Sequence, residues 1–159
     1  FDRDGILEWN KAFEKIGFKN AVVAKQQPDD ADFDTLDVNR ASVRWMTNAA
    51  PSFGAIGPSH VDPRSGEIVD ADIGIESLSS RNRRTERTQV LATAPGLDAH
   101  AAHDAAACTH ADGAAEQLGY ALDVLDARGE LDPGSLDTEA YVLAYLKDVT
   151  MHEVGHTLG

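Results

Sequence analysis

Residues 149–159, Val-Thr-Met-His-Glu-Val-Gly-His-Thr-Leu-Gly, constrain this chain more than any other stretch. They set His152, Glu153 and His156 in the order His-Glu-x-x-His. On a helix, residues four apart share a face, so both imidazoles can reach one metal ion. Glu153 lies one residue round from His152, which takes it out of line as a third ligand and leaves it free to hold a water. The helix is expected to begin near Ser135 or Asp137. Val142, Tyr145 and Val149 lead along one face into the histidines, while Leu143, Met151, Val154 and Leu158 populate another. A helix apolar on most of its circumference is expected to be central and buried. Histidines on it must then be hydrogen-bonded or metal-bound, because an unpaired buried polar group is costly. Gly155 inside the helix costs about 1 kcal/mol relative to alanine, so another backbone is expected to approach closely there.

Two ordinary helical histidines are the bland reading of such a pair. The apolar residues before, between and after them favour metal chemistry. A catalytic zinc takes three protein ligands and keeps a fourth position for water. His152 and His156 supply two of the three, and Glu153 is placed as the general base that would take the water's proton.

Size and charge narrow the remaining classes. A chain of 159 residues is expected to form one domain with an ordinary core, here residues 1–159. Its 14 basic and 27 acidic side chains leave a net charge of −13, which disfavours nucleic acid and anionic membranes as partners. No apolar run approaches the ~20 residues of a membrane span. Cys108 is the only cysteine, which excludes an internal disulfide and argues against a Cys-based zinc site. The start at Phe1 without Met or signal pattern, and the abrupt end at Gly159, suggest a piece of a longer protein.

From the N-terminus, Ile6, Trp9, Phe13 and Ile16 predict an amphipathic helix over 5–17, with Asp4 as N-cap and Gly17 as the left-handed residue that ends it. Phe18 is expected to fold back on Phe13. A short buried strand is expected at Ala21 to Lys25, followed by an acidic loop carrying Asp29, Asp30, Asp32, Asp34 and Asp37. A calcium loop starting at Asp30 would need Gly and Glu where Thr35 and Ala41 stand, so a solvated loop is expected. Ser42 to Thr47 reads as a strand, with Val43 and Trp45 on one face. Ala55 to Val61 reads as an edge or bulged strand interrupted by Gly57-Pro58. It forms a hairpin, through the Asp62–Gly66 turn, with the alternating segment Val69 to Ile75. A helix is expected from 77 to 92, its wet face carrying Arg81, Arg83, Arg84 and Arg87. A further helix is expected to be capped by Asp112 and ended by Gly129, with Ala115, Leu118, Leu122 and Leu125 as its stripe.

His100, His103, Cys108 and His110 form a second cluster of potential ligands whose spacing fits no standard zinc pattern. One of them can stand in as a third ligand, although nothing in the sequence aims it at His152. His60 is expected as an exposed strand residue.

His152-Glu153-Val154-Gly155-His156-Thr157-Leu158-Gly159 resembles the first eight positions of the metzincin signature HExxHxxGxxH. Trp9 to Glu14 with Gly17 to Ala21, Val43 to Trp45, and Val61 to Ile68 are similar to segments of a bacterial, secreted, matrixin-like zinc metalloprotease family. The resemblance covers most of 6–76 and 112–159 and little of 77–111. It implies an α+β fold: a zincin-like N-terminal subdomain with a twisted, mixed or antiparallel sheet of about four strands, packed on helices that include the HExxH helix. It implies a zinc endopeptidase with Glu153 as general base, His152 and His156 as zinc ligands, and a third ligand three residues beyond Gly159. It further implies peptide or protein substrates, a secreted or periplasmic location, and an edge strand at Asp70 to Ile75 whose free backbone pairs with substrate. The rest of the catalytic domain would be this piece's partner. With only two ligands the isolated chain is expected to hold zinc weakly and to be inactive. The alternatives are a zincin of another branch with a glutamate as third ligand, or a metal-free binding or structural domain.

Overall fold

The computed structural model describes residues 2–49, 53–77, 108–132 and 136–159. Beyond Ser77, the helix expected over 77–92 with its arginines, together with His100 and His103, lies outside the described residues. The fold is α+β, with three helices and a four-stranded mixed sheet among the described residues.

Helix α1 spans Asp2–Lys15, so it starts before Asp4, which is not its cap. Its end follows the expected pattern. Gly17 takes a φ of +97°, its N–H donates to Glu14 O, and Phe18 N–H donates to Phe13 O at 3.0 Å. This pair of bonds satisfies carbonyls that the helix would otherwise leave open. The Phe18 side chain itself is exposed, as is Ile16.

The segment Ala21 to Lys25 is irregular rather than a strand. Asn10 explains how it manages without a ladder. Its amide donates to Val22 O at 2.8 Å and accepts from Val22 N–H at 2.9 Å. One side chain thus satisfies both backbone groups that a neighbouring strand would have paired. In the acidic loop, Asp34 and Asp37 accept backbone N–H bonds from Leu36 and Asp34, so these carboxylates serve the turns.

The sheet is organised by its last strand. Strand β1 (Ser42–Met46) runs parallel to β4 (Ile68–Glu76) on one side. Strands β2 (Ala55–Ile56) and β3 (Ser59–Val61) pair antiparallel with β4 on the other. Gly57-Pro58 splits the expected single strand into these two pieces, and a register shift follows between His60 and Val61. The β3–β4 turn closes through Asp62 N–H to Glu67 O and Gly66 N–H to Asp62 O, both 2.8 Å. The expected edge strand is therefore central in strand order: Gly74 and Ile75 of β4 pair with β1 on one side and β2 on the other, and the edges are β1 and β2/β3. The parallel addition of β1, which no hairpin pattern announces, takes up the backbone expected to be free from Asp72 onward.

Helix α2 (His110–Ala127) begins two residues before Asp112, with Thr109 at the cap position making no side-chain cap bond. Asp112 instead lies buried in the first turn, where the helix dipole favours an anion. Gly129 ends α2 as expected, with a φ of +68°.

Helix α3 (Leu136–Thr157) carries the HExxH motif. Its buried strip is narrow: Val149, Thr150, Glu153 and Val154. Tyr141, Val142, Leu143, Met151 and Leu158 are exposed, so α3 is not the all-round buried helix expected. Among the described residues α3 is covered by the sheet, α1 and the start of α2, which leaves the rest of its circumference open. The core comprises Ala55, Ile73, Ile75, Ala111, Val149 and Val154, with Ile6, Trp9, Val43, Ala114 and Tyr145 packed against it. Trp45, expected beside Val43, is 52% exposed. Among the described residues no helix is long and apolar enough to cross a membrane.

Candidate metal centre

One residue step along α3 separates two environments. His152 and His156, one turn apart, point away from the sheet, and their Nε2 atoms lie 3.1 Å apart. Glu153, about 100° further round, faces the sheet and is 0% exposed.

A third donor meets the histidines. Cys108, immediately before α2, brings its Sγ to 3.2 Å from His152 Nε2. The Cys108, His152 and His156 donor atoms all lie within 4.8 Å of one another, and this group can hold a metal ion. Zinc bond lengths of 2.0–2.1 Å to nitrogen and 2.3 Å to sulfur place tetrahedral donors about 3.3–3.6 Å apart, close to the 3.1 and 3.2 Å that separate His152 from His156 and Cys108. A thiolate with two imidazoles also suits a borderline-soft ion. Burial, followed by the neighbouring His110 and His156, lowers the His152 pKa against the opposing pull of Asp148. The neutral, metal-binding form of the ring is thereby favoured.

The single cysteine was expected to argue against such a site, and the third ligand was expected beyond Gly159. Cys108 nevertheless adds a candidate third donor within this chain, because a mixed donor set needs only one thiolate. The signal available in sequence was the short run Cys108-Thr109-His110, but its 44-residue separation from His152 hides the encounter. Packing creates it. Ala111 enters the core, and Tyr145 OH donates to Ala111 O at 3.4 Å, which docks the start of α2 on α3. Burial and the charge of Asp112 push the Tyr145 phenol up to about 12, so it stays a donor.

Glu153 stands apart from the donor group. Neither carboxylate oxygen has a hydrogen-bond partner among the described residues. Burial raises its pKa, opposed by the charges of His156 and His110. It sits under the break between β2 and β3. A Cβ on Gly57 would lie 2.7 Å from Glu153 O and 3.2 Å from Oε2, so a glycine there lets the edge strand close over the helix.

Beyond the donors, a cavity of about 840 Å³ opens between α1 and α3, with His110, His152 and His156 in its wall. Trp9 forms part of the opposite wall, its indole N–H donating to Met151 O at 2.8 Å. Gly155 makes room for that ring: a Cβ there would come within 2.8 Å of Trp9 Cζ2. The close approach expected at Gly155 is thus an aromatic side chain rather than a backbone. His60 lies on β3 as an exposed residue, in line with expectation, opposite Asp70. Compared with known protein families, curated proteins and solved structures, the chain matches none of them.

Proposed function

We propose that this chain is the metal-binding part of a zinc-dependent endopeptidase of the metzincin kind. His152 and His156 are its zinc donors, Cys108 occupies the third donor position within the chain, and Glu153 is the general base. The observation that carries the reading is the meeting of three soft-to-borderline donors beside a buried carboxylate without a hydrogen-bond partner among the described residues. Three protein donors leave a tetrahedral ion one open position, the pattern of catalytic rather than structural zinc. Bound there, zinc would supply Lewis acidity, polarising a carbonyl and acidifying water.

The chain's own groups account for the remaining steps. Glu153 accepts a proton from the attacking water and passes it to the leaving amine. Its raised pKa makes it a better proton acceptor than an exposed carboxylate. Turning its carboxylate toward the donors breaks no hydrogen bond, since it makes none among the described residues. The cavity between α1 and α3 gives a substrate side chain a place beside the donors.

A second reading is favoured by Cys108 specifically: a zincin of another branch, in which this thiolate remains the third ligand of the working enzyme, whereas in a metzincin it would give way to a histidine beyond Gly159. Zinc stoichiometry and peptidase assays on the chain and on the longer protein test both. One equivalent of zinc, with hydrolysis abolished by Glu153→Ala, supports a peptidase. Loss of zinc from the longer protein in Cys108→Ser selects the second branch. Absence of zinc and of hydrolysis in both proteins would sink the peptidase reading and leave a metal-free domain.

A further inference from the structure

The residues that hold a metal ligand's ring in place matter as much as the ligand, and here one side chain is built into that position. His110, the first residue of α2, lies flat on His152, with ring centroids 3.9 Å apart and planes 9° from parallel. Its Nε2–H donates to Asp148 Oδ2 at 2.9 Å, an ionised carboxylate being an acceptor only. Asp148 and His152 are one turn apart on α3, so His110 bridges two successive positions on one face of that helix. The same short run delivers Cys108 two residues earlier, so one docked segment carries both a donor and the stack.

We infer that His110, anchored by Asp148, is the positioning residue of the metal centre. It fixes the plane of the His152 ring so that Nε2 points to where Cys108 and His156 converge. The geometry separates this role from that of a fourth ligand. The parallel stack places the two rings face to face, whereas the two α3 histidines meet at 78° with their Nε2 atoms together. His110 Nε2 is already engaged by Asp148. A flat ring over one face of His152 restricts its rotation about the side-chain bond. The inference rests on the metal-centre reading and not on peptidase activity.

The test uses the chain as it is, titrated with Zn²⁺ against a chelator and separately with Co²⁺, whose absorption reports thiolate and nitrogen donors. His110→Ala is expected to weaken Zn²⁺ binding on the order of 10–100-fold, the range typical of outer-shell losses. Asp148→Asn should weaken it by less. His110→Phe, which keeps a flat ring over His152, should recover most of the affinity lost in His110→Ala. The Co²⁺ thiolate charge-transfer and ligand-field bands should stay in place in all three, because the donor set is unchanged. Thermal melts of the metal-free variants show whether each one folds, and Asp148→Asn, altered at an exposed carboxylate, serves if His110→Ala does not. Unchanged affinity in both His110→Ala and Asp148→Asn would overturn the inference. So would a ligand-field shift marking the loss of a nitrogen donor, since His110 would then be a ligand. If the wild-type chain binds no Zn²⁺, the metal-centre reading itself fails.

Discussion

The two faces of α3 differ in what they ask of the same helix. Toward the sheet, Val149, Thr150, Glu153 and Val154 are packed as core. Toward α1 and the start of α2, His152 and His156 stand in an open wall with His110, and Cys108 lies within donor reach of them. The packed face holds the helix in register against β4. The open face gathers polar donors that would be expensive to bury without a partner. Glu153 is the exception that joins the two, a carboxylate set into the packed face without a hydrogen-bond partner among the described residues. A group that stability alone would not place there is a candidate for chemistry.

The largest expected effect comes from breaking the open face. His152→Ala should abolish stoichiometric zinc binding, measured by metal analysis after dialysis, and leave the metal-free fold close to its original melting temperature. A variant that still holds one equivalent would show that the donors lie elsewhere.

Next comes the packed face. Glu153→Met replaces an unsatisfied buried carboxyl with an apolar chain of similar length, which should stabilise the metal-free chain by about 1–3 kcal/mol in urea unfolding. The same carboxyl sets a pH dependence. Its folded pKa is raised above the ordinary 4.5, so its contribution favours the fold below that value and is lost as pH rises through the folded pKa. The metal-free wild type should lose stability across that window relative to Glu153→Met. Identical profiles for the two proteins would show that Glu153 is not desolvated.

Smaller again is Gly155→Ala. The added methyl meets the Trp9 ring, and the overpacking should outweigh the helix propensity it gains, leaving a net loss of about 1–2 kcal/mol. Tryptophan fluorescence should report the displaced ring, and an unchanged spectrum with raised stability would refute the contact.

The smallest effect is expected at the rim. Glu8 binds Lys11 and Lys147, whose hydrogen bonds hold its pKa down to about 2, linking α1 to α3 in water-exposed surroundings. Screening by solvent keeps such a pair weak. Glu8→Gln should lower the melting temperature slightly, and the difference should shrink in high salt.

Local patterns carried much of this structure. The end of α1 at Gly17, the β3–β4 turn, the Gly57-Pro58 break and the end of α2 at Gly129 all follow from residue chemistry within a few positions. Long-range pairing was less visible. The alternation in Val69 to Ile75 says strand, but it cannot say that β1 adds in parallel and turns β4 into the central strand. Val22 reads as a strand residue, yet the Asn10 amide takes its backbone bonds.

What the sequence by itself determined is the pairing of His152 with His156 and the displacement of Glu153, because 3.6 residues per turn is a property of any α-helix. The tertiary structure decided which side each of them faces, and that Cys108 and His110 arrive on the histidine side. Those outcomes depend on packing between segments some forty residues apart, where Ala111 and Tyr145 bring α2 onto α3. Helical spacing is a local rule. The third donor is a consequence of the core.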